Sequence, residues 1–313
     1  MKAAVITELG KAPHYGDFDD PQPAEDEAVV TITAAGVNHF TVLMSSGKFY
    51  ATPPKVPFVP GSDGIGLLEN GSRVFFDVTV PPFGAWGERA LVPRDALLAV
   101  DPAADDISAA AVGNSGLAAW TALSWRAKLV PGETVLVLGA AGALGRIAVQ
   151  AARAQGAGRV VAADLGGERL TALTGIGADA VVAIDGDDGD PAQRLREATD
   201  GGADVIIDPL WGAPALAALQ AAAQGCRHIQ LGHMADPEMT LPAAVLRSRG
   251  VDLRGYALFQ CPLPVRQDAY LTLTRLIGEQ TIAVDAEAVP LRDVGAAWER
   301  QVHGAGRKLV LVP

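Results

Sequence analysis

The run Thr134-Val-Leu-Val-Leu-Gly139-Ala140-Ala141-Gly142-Ala143-Leu144-Gly145, followed by Arg146-Ile-Ala-Val-Gln-Ala-Ala-Arg, restricts the fold more than any other stretch of this chain. A short apolar run that ends at glycine reads as a buried parallel strand, and the segment after the turn has apolar residues at helical spacing. Strand, glycine-rich turn and helix, in that order, are what a pyrophosphate site requires. Small residues let the backbone approach the phosphates, and the helix start offers unpaired N–H groups and the positive end of a dipole. The glycine triplet is a weak signal in a chain with 35 glycines. Its context strengthens it, because an acidic residue, Asp164, closes the next strand about 20 residues on, where a ribose is held in dinucleotide folds. Dinucleotide binding is the expectation. The alternative is a strand–helix turn that merely packs closely.

Strands and helices alternate from there. Strands are predicted at 134–138, 159–163, 180–184, 204–208, 226–231 and 252–256, with helices at 144–155, 168–174, 192–199, 213–223 and 241–248 between them. That alternation predicts a doubly wound parallel α/β sheet. Gly156, Gly177 and Gly225 are expected just past helices, where a left-handed cap favours glycine. Residues 1 to about 115 read differently. Short strands at 29–33, 73–76 and 87–92 are separated by Pro- and Gly-rich segments such as 52–61, the pattern of a mostly-β domain. From 115 to 129 a helix leads into Pro131-Gly132. After residue 261 come a helix (264–279), a strand (286–290), a helix (292–302) and a closing strand (307–312). Such a tail cannot bury its own apolar faces, so it is expected to fold back onto the β domain. The predicted division is 1–115, 116–260 and a return segment 261–313.

The length suits two cores. The net charge of −11, with no run of Lys or Arg, argues against nucleic acid or an anionic membrane as a partner. No apolar run is long enough to span a bilayer. A strand that begins at Met1-Lys-Ala-Ala-Val-Ile leaves no room for a signal peptide, and two isolated cysteines, Cys226 and Cys261, exclude a disulfide framework. A cytoplasmic protein is expected.

Several further motifs fall in one order: Ala35-Gly-Val-Asn38, Val59-Pro-Gly-Ser-Asp63, Gly84-Ala-Trp-Gly-Glu-Arg-Ala90, Gly116-Leu-Ala-Ala-Trp-Thr-Ala-Leu123, the glycine-rich turn, and Gly306-Arg-Lys-Leu-Val-Leu311. Together they resemble the medium-chain dehydrogenase/reductase superfamily, and within it the zinc-independent quinone oxidoreductases. The resemblance covers nearly the whole chain. It implies a Rossmann sheet inserted into a GroES-like β domain, and a homodimer paired through the edge of the cofactor sheet near 251–256. Zinc-dependent relatives carry Cys, His and Cys where this chain has Asn38, Ser62 and Asn114. Neutral amide and hydroxyl oxygens are poor zinc ligands. Two cysteines cannot build a four-cysteine lobe, and His14, His39, His228, His233 and His303 show no ligand spacing. No metal is expected. Alcohol oxidation then lacks its Lewis acid, whereas hydride addition to a conjugated carbonyl spreads charge onto a distant oxygen and needs less help. The implied activity is NAD(P)H-dependent reduction of a small apolar quinone or α,β-unsaturated carbonyl. A metal-free alcohol dehydrogenase or biosynthetic reductase is the first alternative, and a dinucleotide-binding protein without catalysis the second.

By position, the resemblance assigns catalysis to Asn38, and to Tyr50 as a substitute for a tyrosine that this chain replaces by Leu43; the usual arginine is replaced by Ser45. It assigns the cofactor to His39, Asn114, Thr121, the turn Ala140, Ala141, Gly142, Ala143, Leu144 and Gly145, then Asp164, Arg169, Leu210, Gly232 and Leu258. Phe40, Leu43, Phe49 and Trp86 are candidates for an apolar substrate pocket or for ordinary core. Asp164 accepts hydrogen bonds from ribose hydroxyls and repels a 2′-phosphate, so NAD(H) is favoured over NADP(H), with Arg169 near enough to soften the preference.

Overall fold

The computed structural model describes all 313 residues except 48, 50, 51, 53, 187 and 188. The expected Tyr50 role therefore lies outside the described residues. By contacts the chain forms two compact units, Met1–Ser115 with Gln267–Pro313, and Gly116–Arg266.

The first part of the chain runs β1 (Lys2–Val5), β2 (His14–Asp17), β3 (Glu27–Gly36), α1 (His39–Ser46), β4 (Gly64–Leu67), β5 (Arg73–Phe76), β6 (Arg89–Pro93), β7 (Leu97–Ala99), α2 (Asp106–Ala111) and α3 (Asn114–Thr121). There follow β8 (Thr134–Leu138), α4 (Ala143–Ala154), β9 (Arg159–Asp164), α5 (Glu168–Thr171), β10 (Ala180–Ala183), α6 (Pro191–Ala198), β11 (Ala203–Asp208), α7 (Gly212–Gln220), β12 (Ala222–Gln230), α8 (Ala243–Arg249) and β13 (Asp252–Gly255). The return comprises α9 (Leu263–Gly278), β14 (Ala286–Pro290), α10 (Val294–Val302) and β15 (Lys308–Val312).

In the unit Gly116–Arg266 the strands lie in the order β10-β9-β8-β11-β12-β13, every pair parallel. This is the doubly wound Rossmann sheet. Leu136, Leu138, Val161, Ala163 and Ile206 share one face and pack on Leu195, Ala217 and Ala218 from α6 and α7. β8 forms because a β-branched and leucine run sits between two turns whose glycines, Gly132 and Gly139, have φ of 92° and 59°. The expected single helix over 115–129 is instead α3 followed by a π-helical turn, Ala122–Ala127, closed by Lys128 in the left-handed region. The helix expected over 168–174 is one α-turn and a 3-10 segment, Ala172–Ile176.

One expectation fails outright. Gly225 does not cap a helix, because α7 stops at Gln220 and Gly225 lies inside β12 with φ 72°. The pairing of β11 with β12 shifts register between Ala203 and Val205 at this point, so the glycine permits a bulge in a strand. Ala213–Ala223 reads as one apolar small-residue stretch, and periodicity cannot show where helix yields to strand within it.

In the other unit β14, β15, β3, β4, β5 and β7 form one sheet in that order, with β6 on β3. The closing strand pairs antiparallel with β3 at Ala35 and Gly36. This sheet, with the β1–β2 hairpin and α10, is the GroES-like body. Its core includes Ile6, Val30, Phe76, Trp86, Trp298, Leu309 and Leu311. Trp86 is core, not pocket wall: it is buried, its ring meets Trp298 edge-on at 6.3 Å, and its Nε1–H donates to Gly36 O at 3.1 Å.

Candidate functional site

The nucleotide unit places its candidate residues at the carboxyl ends of β8, β9, β11 and β12. Gly139 turns the chain out of β8, and Gly142 caps α4 with no side chain and with no acidic residue in the first turn. Among the described residues no acceptor is paired with the backbone N–H groups of Ala143, Leu144 and Gly145. Gly142 and Ala143 are exposed. A twelve-residue helix thus presents bare donors and its positive end to solvent, which fits a diphosphate. Gly145 is demanded by contact: a Cβ there would lie 2.2 Å from Gly139 O and 2.5 Å from Ala140 Cα. The helix can approach the strand this closely only without a side chain.

Asp164 ends β9 beside this loop. Its Oδ2 accepts the Ala141 N–H at 2.7 Å and its Oδ1 the Leu165 N–H at 2.7 Å. Arg169 does not neutralise it; its Nη2 donates to Ala141 O at 2.6 Å. Leu210 lies against the glycine-rich turn, since a Cβ on Gly139 would come within 3.1 Å of its Cδ2. The loop carrying Leu210 is fixed by Asp208, which ends β11. Its Oδ1 accepts the N–H groups of Leu210 and Trp211 at 2.8 and 2.9 Å, and its Oδ2 pairs with Nε2 of fully buried His228 at 2.8 Å. Trp211 is held at φ 58°, a strained setting for a non-glycine residue, by this anchorage. Gly232 sits under the same loop, where a Cβ would meet Pro209 O at 3.0 Å. Trp211, Gln230, His233, Pro237, Leu253 and Gly255 line an open cavity of about 460 Å³ at these strand ends. Thr121 is buried; it donates to Leu117 O, and its hydroxyl shares a hydrogen bond of 2.6 Å with the Tyr256 hydroxyl. Leu258 is half-buried in a 3-10 turn just past β13. Cys226 is buried core, its thiol pushed up to about 12 by desolvation.

In the GroES-like unit a second set of candidates meets in a buried polar cluster. Asn38 is the residue before α1 and only 3% exposed. Its Nδ2 donates to Asp63 Oδ1 at 2.6 Å and lies 3.5 Å from Gly36 O. Its Oδ1 accepts from the Lys308 ammonium and, at 3.4 Å, from Ser115 Oγ. Lys308 also donates to Val37 O at 2.9 Å. Asp63 is fully buried and accepts Ser62 Oγ–H at 2.8 Å and the Asn114 N–H at 3.3 Å. The chain makes room for its carboxylate with glycines, because a Cβ on Gly36 or Gly113 would stand 2.9 or 2.8 Å from Oδ2. Burial pushes the Asp63 carboxyl up against the opposing pull of Lys308, and burial lowers the Lys308 ammonium to about 8. Asn114 thus enters through its backbone. His39 is half-buried at the first position of α1, and Phe40 meets Phe49 edge-on at 5.2 Å. Asp63 and Lys308 stand in the sequence only as letters of two motifs. A lysine opening the strand Lys-Leu-Val-Leu-Val, in phase with Val310, was the available signal. Among the described residues no group of three His, Cys, Asp or Glu side chains is placed to hold a metal ion, and no helix is long and apolar enough to cross a membrane.

A bare helix start after a parallel strand and a GroES-like sheet, in one chain, define the fold of the medium-chain dehydrogenases and reductases. Comparison with known proteins agrees. A family model described as zinc-binding dehydrogenase matches residues 143–277. A quinone oxidoreductase-like protein 2 homolog of Nematostella vectensis is 33% identical over 221 residues, 67% of this chain and 60% of that protein. This chain therefore spans less than two thirds of that relative. An alcohol dehydrogenase of Geobacillus stearothermophilus is 27% identical over 97% of each chain. The quinone oxidoreductase of Thermus thermophilus, solved also in complex with NADPH, superposes with a TM-score of 0.86 at 30% identity over the full length of both chains. The chain belongs to the medium-chain dehydrogenase/reductase superfamily, in its quinone oxidoreductase-like group.

Proposed function

We propose that this protein reduces a small apolar quinone or α,β-unsaturated carbonyl at the expense of a nicotinamide dinucleotide. The observation that carries the reading is the uncapped start of α4, where the N–H groups of Ala143, Leu144 and Gly145 face a diphosphate-sized demand for donors with no acidic side chain in the way. Ala140, Ala141 and Gly142 add no bulky side chain beside it, their own N–H groups being paired with Ala163 O, Asp164 and Gly139 O. Leu210, Gly232 and Leu258 border the cofactor along the strand ends, and Thr121 supports Tyr256 behind them. His39 and Asn114 keep the cofactor role that the resemblance gives them. When bound, a reduced nicotinamide supplies the hydride. The protein's part is to hold both reactants, exclude water, and stabilise negative charge on the substrate oxygen by hydrogen bonding, with the proton coming from solvent.

The reading is of a reaction that works without zinc. Asn38 and Ser62, at two of the positions where zinc relatives hold ligands, are bonded to Asp63, and Asn38 also to the Lys308 ammonium. A divalent ion there would face a fixed cation, amide and hydroxyl oxygens, and one carboxylate already bonded to Asn38, Ser62 and the Asn114 N–H, with no nitrogen or sulfur ligand, which is the wrong donor set for zinc.

NAD(H) is the cofactor the β9 end favours. Asp164 keeps both oxygens on backbone N–H groups and has no guanidinium partner among the described residues, so a 2′-phosphate would meet an uncompensated carboxylate. At an effective dielectric near 20 a unit-charge repulsion at 4 Å costs about 4 kcal/mol. The Thermus relative solved with NADPH makes this a sharp test. Cofactor oxidation is measured over a panel of quinones, enones and aldehydes, with NADH and NADPH separately. Turnover with quinones or enones and an NADH preference are expected. Asp164→Ser is expected to move the ratio toward NADPH by about tenfold or more; an unchanged ratio removes the NAD(H) assignment. Nucleotide binding without oxidation by any acceptor would leave only a binding protein.

A further inference from the structure

We propose that Lys308 and Asp63 are positioning residues for the reduction, clamping the Asn38 side-chain amide between a buried cation and a buried anion so that its remaining N–H is oriented and polarised toward the substrate oxygen. The inference rests on the oxidoreductase reading above and concerns how one amide is set for it. Three separate stretches of sequence build the clamp: the residue before α1, the loop entering β4, and the closing strand.

An amide has one oxygen and one NH2 group, and a half-turn exchanges them. Here the exchange is forbidden by charge. Oδ1 meets the Lys308 ammonium, and Nδ2 donates to the Asp63 carboxylate at 2.6 Å. The flipped amide would place N–H groups against the ammonium and an oxygen against the carboxylate, both without a hydrogen bond in a buried site. The clamp therefore fixes one orientation. It also polarises the amide along its own dipole, since a cation at the oxygen draws charge from the nitrogen and strengthens both N–H donors. One donor is spent on Asp63. Among the described residues the other has Gly36 O alone, at 3.5 Å, the limit of a hydrogen bond. That is the donor left for an incoming oxygen. Lys308 does not touch Asp63 in an ion pair; the two act on one another through Asn38, with Ser62 and the Asn114 N–H holding the carboxylate and Val37 O holding the ammonium. The other ionisable groups around the cluster are Asp77, whose charge acts on Asp63, and the Tyr270 phenol, raised well above its usual range by burial and donating to Ala109 O. Burial brings the Lys308 ammonium down to about 8, into mild alkali.

The test uses the full-length protein and the variants K308M, K308R, D63N and K308M/D63N. Quinone or enone turnover is followed from pH 6 to 10, and the Asn38 side-chain amide is followed by nitrogen-15 NMR over the same range. In the wild type kcat is expected to fall through a midpoint near pH 8, and the Asn38 signals to shift with the same midpoint. K308M is expected to lose about ten- to a hundredfold in kcat with cofactor KM unchanged. K308R keeps part of the activity and loses the alkaline fall. The double variant leaves no unpaired charge in the clamp, so it is expected to fold, yet to remain slow. Wild-type kcat and pH profile in K308M/D63N would show a merely structural pair and overturn the proposal. So would Asn38 signals that do not move between pH 7 and 9. If no acceptor is turned over by the wild type, the oxidoreductase reading fails; the amide titration then decides the clamp by itself, a shift abolished in K308M sustaining it and a flat signal ending it.

Discussion

Lys308 is 5% exposed, and water would hold its charge better than the interior does. That difference makes stability depend on pH. The ammonium titrates at 10.5 in an unfolded chain and near 8 in the folded one. Between these values the unfolded state binds more protons, so stability rises with pH across that window. The gain from this group is about 3 kcal/mol. Urea midpoints of wild type and K308M, measured at pH 8 and pH 10, are expected to shift in favour of the wild type as pH rises; parallel curves would show that Lys308 does not titrate in this window. At this scale the sequence is partly legible. Asn38 and Asp164 stand out because their types are unusual at the ends of apolar strands. Asp63 and Lys308 do not, because their meaning lies in each other, and they are joined only through contacts far apart in sequence.

Elements are easier to read where the cause is local. β8, its turn and α4 carry their own signals: β-branched residues, glycines at left-handed positions, and an apolar helix face. The mostly-β part offers only turns and short runs, and α1 has no strong periodicity to announce it, while the Asn38 side chain at its N-cap makes no capping hydrogen bond. Gly225 shows the limit, because only the strand register reveals a bulge. The close contact of α4 with the turn after β8 also carries a prediction. In Gly145→Ala the new Cβ would overlap Gly139 O and the Ala140 backbone, so α4 must back away from β8 and its donors leave their place. Nucleotide affinity, read by titration of NADH fluorescence, is expected to drop about a hundredfold or more, with a lower melting temperature. Gly142→Ala, whose Cβ would meet only Gly139 O at 3.2 Å, is expected to bind more nearly like wild type. Equal affinities in the two variants would refute the packing argument.

At the level of the whole molecule, one unit is continuous in sequence and the other is not. Leu309, Val310 and Leu311, all essentially unexposed, belong to the discontinuous unit, and β15 is the strand that joins β14 to β3. A chain ending after Arg307 is expected to lose protection against proteolysis throughout residues 1–115, while residues 116–266, with a sheet of their own, stay resistant. Uniform cleavage of both regions, mapped by mass spectrometry, would contradict two separate cores. The position of β15 also orders events during synthesis. The Rossmann sheet, which closes at Gly255, is synthesised well before Lys308, so the nascent chain can assemble its nucleotide half first, while Asn38 and Asp63 wait, unclamped, for a strand added later.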